Sequence, residues 1–369
     1  MKELIIGDLV AKVPIIQGGM AVGISLSGLA SAVANQGGIG VIATAGIGHM
    51  NDGYKTDYIR VNNKALAFEI RRAKELTDGI IGINIMVALS NYAEFVKVAV
   101  LEGADIIFSG AGLPLSLPGY LPEDNIRTKL VPIVSSGKAA NIIAKRWIDK
   151  YNYLPDAFVV EGPRAGGHLG FKKENLNDSK FALENLLQEV LDSTAAFEDK
   201  FGRAIPVIPA GGIYTGADIY NFINRGAAGV QMATRFVATV ECDASDEFKQ
   251  AYLKATKEDV VIIESPVGMP GRAIRDQFLD DVVAGDKKPF KCPYHCIITC
   301  NVKDAPYCIA KALANAKEGK LSEGFAFAGE NVYRVNEIVT VKELIHTLGQ
   351  EYEAAEVKNK SADYSGLQK

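Results

Sequence analysis

Residues 205–234 read IPVIPAGGIYTGADIYNFINRGAAGVQMAT. Ile205, Pro206, Val207 and Ile208 are apolar in succession, as a strand buried on both faces requires. The glycine pair Gly211 and Gly212 follows that strand, which is set at residues 205–209. A helix is expected over residues 216–224 and a second strand over 229–233. Strand, helix and strand in this order make a unit whose strands pair in parallel through a right-handed crossover.

The same alternation runs back to the start of the chain. Strands are expected at residues 13–17, 40–44, 81–87, 105–109, 131–135 and 157–161. Helices are expected at 27–35, 64–76, 92–101, 139–150 and within 180–197, with a short, weak one near 122–128. Eight such units predict an α/β fold, a closed (β/α)8 TIM barrel. An open doubly wound sheet is the structural alternative. The alternation stops at residues 246–320, read as a smaller, mainly helical cap beside the barrel mouth. The division is therefore a barrel over 1–245 and 321–357, closed by a helix at 344–352, a cysteine-containing cap over 246–320, and a polar tail over 358–369.

The chain has 369 residues, 48% of them hydrophobic and 23% charged, which excludes a disordered chain and a coiled coil. A net charge of -4 argues against a non-specific nucleic-acid binder. Residues 13–51 carry no Asp, Glu, Lys or Arg, yet Gln17, Ser25, Ser27, Ser31, Asn35 and Gln36 break them up. They read as two buried strands and a helix, not as a membrane span or a signal peptide. Five cysteines, an odd count in a long chain, read as reduced thiols, and a cytoplasmic location is expected.

Glycine is the one surplus, 36 residues against roughly 7% on average. The glycines gather just after strands, at Gly18 and Gly19, at Gly166 and Gly167, and at Gly211 and Gly212. In a barrel all these positions lie at the C-terminal rim, where active sites form. Bare backbone there lets amides approach a ligand. The segments following strand seven and forming strand eight sit where barrels hold a phosphate on backbone N–H groups. Tight turns without a ligand would explain either segment alone. His168 follows the sixth strand between glycines, so its ring is expected at the mouth as a general base or an anion partner.

Together these residues resemble the FMN-dependent nitronate monooxygenase family, formerly the 2-nitropropane dioxygenases. The FMN-dependent enoyl-acyl-carrier-protein reductases are its sister group. The resemblance rests on Pro14 to Met20, on Ala165 to His168, on Ala210 to Ile213 and on Gly229 to Thr234. A loop from Ser265 to Ala273 adds to it. It implies a barrel holding non-covalent FMN, with Gly211, Gly212, Gln231, Met232, Ala233 and Thr234 around the phosphate. It places Gly18, Gly19, Met20 and Asn84 along the isoalloxazine, with Glu161, Gly166 and Gly167 as further contacts. Glu161 departs from the family, which has glutamine there. His168 matches the catalytic histidine. The implied activity is oxidation of alkyl nitronates with O2, so the partners are a small-molecule substrate and O2, with a homodimer left open. The alternative is an enoyl-acyl-carrier-protein reductase with NAD(P)H as reductant and an acyl carrier protein as partner. An alternative of another class is a sensor barrel that holds FMN without turnover.

Cys292, Cys296, Cys300 and Cys308 crowd into seventeen residues with His295 among them. In a helix the C-x3-C-x3-C spacing puts three thiols on one face. Soft thiolates suit zinc or an iron–sulfur cluster. Zinc sites usually space their cysteines C-x2-C, however, and three-residue gaps are not a ferredoxin pattern. Buried thiols in a helical cap are the reading taken, and no metal is expected. His49 and His346 are expected to be structural.

Overall fold

The computed structural model describes residues 1–123, 127–286, 288, 290–292 and 295–366. Eight parallel strands form its centre: Ile15–Gln17, Gly40–Ala43, Ile81–Met86, Ile106–Gly110, Lys129–Val134, Phe158–Glu161, Val207–Ala210 and Val230–Met232. From the second to the eighth, each pairs with its neighbour in the chain. The eighth pairs with the first through Gln231 and Ile16. A parallel bridge between Ile16 and Ile39 joins the first to the second, and Ile39 N–H donates to Ile15 O at 3.0 Å. The ring is thereby complete, so the open sheet is ruled out.

Burial on both faces explains the unbroken apolar runs. Ile16, Val41, Phe108, Val131, Val159 and Ile208 pack together inside the barrel. Their chain neighbours Ile15, Ile42, Ile107, Leu130, Phe158 and Val207 pack with helix residues such as Leu66, Phe95, Ile143 and Leu187. A period of two thus sorts one apolar run between an interior and an outer layer. The third strand leaves room inside for a neighbour's ring: a Cβ on Gly82 would lie 2.5 Å from Phe108 Cε2.

The N-terminal end is plugged by a hairpin absent from the sequence expectation, Leu4–Ile6 with Leu9–Ala11, turning at Gly7 with φ 62°. Leu4, Ile6 and Ala11 join the barrel interior. Asp8 at its tip pairs with Lys129 Nζ at 2.5 Å.

Several boundaries differ from expectation. The helix expected at 64–76 begins at Tyr58, because Asp57 accepts from Arg60 N–H and supplies the N-cap. The weak helix near 122–128 includes 124–126, outside the described residues; the nearby described turn is a 3-10 segment, Leu117–Tyr120. The closing helix is longer than 344–352 and runs over Val341–Gly366, so most of the expected polar tail is helical. Tyr352, ring to ring with Tyr220 at 5.4 Å, ties it to the helix Gly216–Asn224.

The segment over 246–320 holds the helices Asp246–Lys254, Gln277–Val283 and Ile309–Lys317. It also holds an unexpected antiparallel hairpin, Val260–Glu264 with Pro270–Ile274, onto which Gly167–His168 adds as a third strand. The cysteines are not on a helical face: the described residues between 286 and 308 form no helix. Backbone pairing with the loop after the third strand competes for them. Ser90 N–H donates to Cys296 O at 3.1 Å and Ile298 N–H to Ala88 O at 2.9 Å. Among the described residues no helix is long and apolar enough to cross a membrane.

Candidate active site

A cavity of about 530 Å³ opens at the C-terminal ends of the strands. It is lined by Gly18, Gly19, Met20, Asn84, Glu161, Gly166, Gly167, His168, Gly211, Gly212, Gln231, Met232, Ala233 and Thr234, every candidate residue of the sequence reading. They meet there because most follow or end a strand, with Asn84 and Gln231 inside the third and eighth, and all parallel strands end on one side of the barrel.

Gly211 and Gly212 leave the seventh strand with φ 94° and 88°, a left-handed conformation that side chains rarely adopt. A Cβ on Gly211 would lie 2.9 Å from Ala165 N, and one on Gly212 2.9 Å from Arg164 Cβ. Among the described residues none accepts from the N–H of Gly212, whereas Gly211 follows directly on the parallel pairing of Ala210 with Gln231. An unpaired amide on left-handed backbone beside a cavity suits an anion. Asn331 Nδ2 donates to Gly212 O at 2.7 Å, and Gly329 N–H to Thr234 Oγ1 at 3.1 Å, which hold the rim in place.

His168 sits on the strand shared with the cap hairpin, opposite Gly271. Its Nε2 is 2.7 Å from Ser265 Oγ, and its ring meets Phe327 edge-on at 5.0 Å. Burial lowers its pKa from 6.5 to about 4, so the imidazole is neutral at pH 7. Glu161 ends the sixth strand with its carboxyl at the cavity, and burial pushes its pKa up from 4.5 to about 7. Two titratable groups displaced by desolvation in one cavity mark a functional site.

Three supporting residues were not foreseen in these roles. Ser265 orients His168 and belongs to the loop that the sequence reading had singled out. Arg272, buried, donates from Nη1 to Pro163 O and to Ala165 O, both at 2.6 Å, and so fixes the loop that precedes Gly166. Gln17, buried at the end of the first strand, donates to Gly18 O at 2.6 Å and accepts from Val41 N–H at 3.0 Å. Polar residues ending buried strands are the one sequence signal that could have marked Gln17. Tyr252, Ile297, Leu313, Phe325 and Phe327 complete an apolar wall drawn largely from the cap. His49 is off the cavity, with Nδ1 3.9 Å from Glu318 and its ring against Tyr54, and His346 is exposed on the closing helix.

Comparison with known proteins agrees with this geometry. The family model described as nitronate monooxygenase matches residues 2–102 and 90–351. A 5-hydroxy-7a-methyl-1-oxo-octahydro-1H-indene-4-carboxyl-CoA dehydrogenase of Mycobacterium tuberculosis is 29% identical over 274 residues, 74% of this chain. The chain spans 66% of that relative, just under two thirds. A Bacillus subtilis protein named "Probable nitronate monooxygenase" is 26% identical over 92% of this chain and 95% of its own length. The structure of FabK from Thermotoga maritima superposes with a TM-score of 0.72 and 28% identity, covering 95% of this chain and 96% of that one.

Proposed function

The chain belongs to the nitronate monooxygenase family, and from that premise we propose that it is an FMN-dependent oxidoreductase that oxidises alkyl nitronates with O2. The observation that carries this reading is the arrangement, around one cavity, of the left-handed glycine pair Gly211 and Gly212 and a neutral, desolvated imidazole. The residues fit the cofactor. Gly211 and Gly212, with Gln231, Met232, Ala233 and Thr234, would hold the phosphate. Gly18, Gly19, Met20 and Asn84 would lie along the isoalloxazine, and Glu161, Gly166 and Gly167 would close its edge. The redox chemistry here is what bound FMN supplies, taking electrons from substrate and handing them to O2.

The chain's own residues bind the substrate and handle its proton. A nitronate spreads one negative charge over a carbon and two oxygens. Neutral His168 has one N–H to direct at that charge, and the Ser265 hydroxyl, 2.7 Å from Nε2, holds the ring's orientation. A bound anion raises the ring's pKa back toward its usual value. With a neutral nitroalkane the same ring takes the α-proton. Phe325, Phe327 and Ile297 keep water from the site. We divide the chain accordingly into a catalytic barrel over 1–245 and 321–357, a cap over 246–320 that contributes Ser265, and a terminal segment over 358–369.

Likeness to FabK over 95% of the chain favours a second reading, an enoyl-acyl-carrier-protein reductase fed by NAD(P)H. The net charge of -4 opposes docking of an acidic carrier protein. The test is anaerobic mixing of the flavin-loaded protein with a nitronate, with NADH and with NADPH. Bleaching of the visible absorbance by nitronate alone is expected. Bleaching by a nicotinamide alone would sink the first reading in favour of the second. No response to any of the three would leave a flavin-binding sensor, and a chain that cannot be loaded with FMN would overturn all three readings.

A further inference from the structure

Inside the barrel, apolar layers give way to polar side chains just below the cavity. Val159, Ile208 and Ala210 face the interior, and a period of two puts Glu161 on the same face as Val159. Asn84 pairs with Phe108, and Gln231 pairs with Ile16 and Ala210, so both stand in register with interior residues. Asn84, Glu161 and Gln231 all line the cavity, and Glu161 is the one of the three that can carry a charge. Resting on the flavin reading above, we propose that Glu161 serves this site as a hydrogen-bond donor: it meets the bound flavin as the neutral acid, so that the site takes up a proton together with FMN.

The surroundings of the carboxyl carry this inference. Its neighbours on the adjoining strands are uncharged: Ala210 stands opposite it in register, and Ile133 and Val134 pair with Val159 and Val160. Among the described residues no hydrogen bond and no charge acts on it. The titratable and charged groups around the cavity are Arg164, His168, Tyr54, Tyr58, Tyr252 and Cys296. Arg164, the one lasting cation among them, is engaged by Glu330 at 3.0 Å. His168 is neutral at pH 7. A carboxylate at this position therefore has no cation to pair with, and burial alone raises its pKa from 4.5 to about 7.

The charge of the ligand acts in the same direction. Ala210, opposite Glu161, leads directly into Gly211 and Gly212, the pair assigned above to the phosphate. A phosphate dianion there and a carboxylate at Glu161 would be like charges within one desolvated site. The neutral acid avoids that repulsion and keeps an O–H to donate. A group ionised in the free protein and protonated in the complex makes affinity fall as pH rises above its free pKa. Above about pH 7 the phosphate stays dianionic. Burial holds the Cys296 thiol up at about 12 and the Tyr252 phenol above its usual range, so neither titrates near neutrality.

The experiment is titration of the flavin-free full chain with FMN from about pH 7 to about pH 9, read by fluorescence, with calorimetry in two buffers of different ionisation enthalpy to count protons. The wild-type dissociation constant should rise on the order of tenfold across this range, and about one proton should be taken up per FMN near the middle of it. Glu161→Gln keeps an N–H donor without the charge, so its affinity should hold across the range and its binding should take up no proton. A wild-type affinity that stays flat or strengthens as pH rises would overturn the proposal. So would proton release on binding, or a Glu161→Gln curve parallel to wild type. The wild-type curve and proton count decide the matter by themselves should the variant not fold. A chain that binds no FMN at any pH fails the flavin reading itself, whereas FMN binding with a flat pH curve fails only this inference.

Discussion

At the N-terminal end of the barrel, Leu4, Ile6 and Ala11 seal the interior with apolar side chains, and the one exposed charge at the hairpin tip is paired with Lys129. At the C-terminal end the strands run out into bare glycine in left-handed conformation and two titratable groups that burial has displaced. Both ends are built by the same eight strands. The first end is satisfied within the chain; the second leaves desolvated groups that a ligand can engage. Substitutions at the two ends should therefore separate stability from activity.

The largest effect is expected at the mouth. His168→Ala should lower turnover of a nitronate by about 10²–10⁴-fold with flavin content unchanged, as steady-state rates and absorbance would record. Full turnover in this variant would remove the catalytic role. At the opposite end, Ile6→Ala should cost about 2–5 kcal/mol of stability in denaturant unfolding. FMN affinity of its folded fraction should equal wild type; a weakened affinity would mean that the ends are coupled. Gly212→Val forces a side chain into a left-handed turn against Arg164 and fills the cradle. Fluorescence titration should show FMN binding weakened about 100-fold, near 2.7 kcal/mol.

Two smaller effects sharpen the picture of the mouth. A carboxyl whose folded pKa is raised contributes stability that is full below its unfolded pKa and is lost as pH rises through the folded value. For Glu161 that window runs from 4.5 to about 7. Flavin-free Glu161→Gln should match wild type at the acid edge of this window and be the more stable above it; parallel unfolding curves at all pH values would show that the carboxyl is not desolvated. Ser265→Ala removes one hydrogen bond to His168, worth about 1 kcal/mol. Its turnover should fall about 5-fold while FMN affinity holds, and an unchanged rate would show that the serine does not orient the ring.

The barrel was legible because strands buried on both faces must be apolar throughout, and the candidate site because most of its residues directly follow or end such strands. Two short pairings were not legible. Residues 4–11 and 260–274 alternate too briefly to declare themselves, and it is the barrel interior and Gly167–His168 that give them partners. The cysteines, expected in a helical cap, lie outside any helix, since nothing local reveals that Ala88 and Ser90 bond the segment's backbone instead. Ser265 and Arg272 carried no signal of their roles, because each acts on a loop roughly a hundred residues away.

The sequence by itself determined the alternation of strand and helix, the side on which the glycines fall, and His168 as the residue that follows the sixth strand into the mouth. These follow from burial period and backbone freedom, which are local. Only the tertiary structure decided that the first and second strands close the ring through Ile39, that a hairpin from the cap fixes His168 against Ser265, and that the backbone at Cys296 pairs with the loop after the third strand. Those outcomes depend on groups far apart in the chain competing for the same hydrogen bonds and the same space, and that competition is settled only when the whole chain packs.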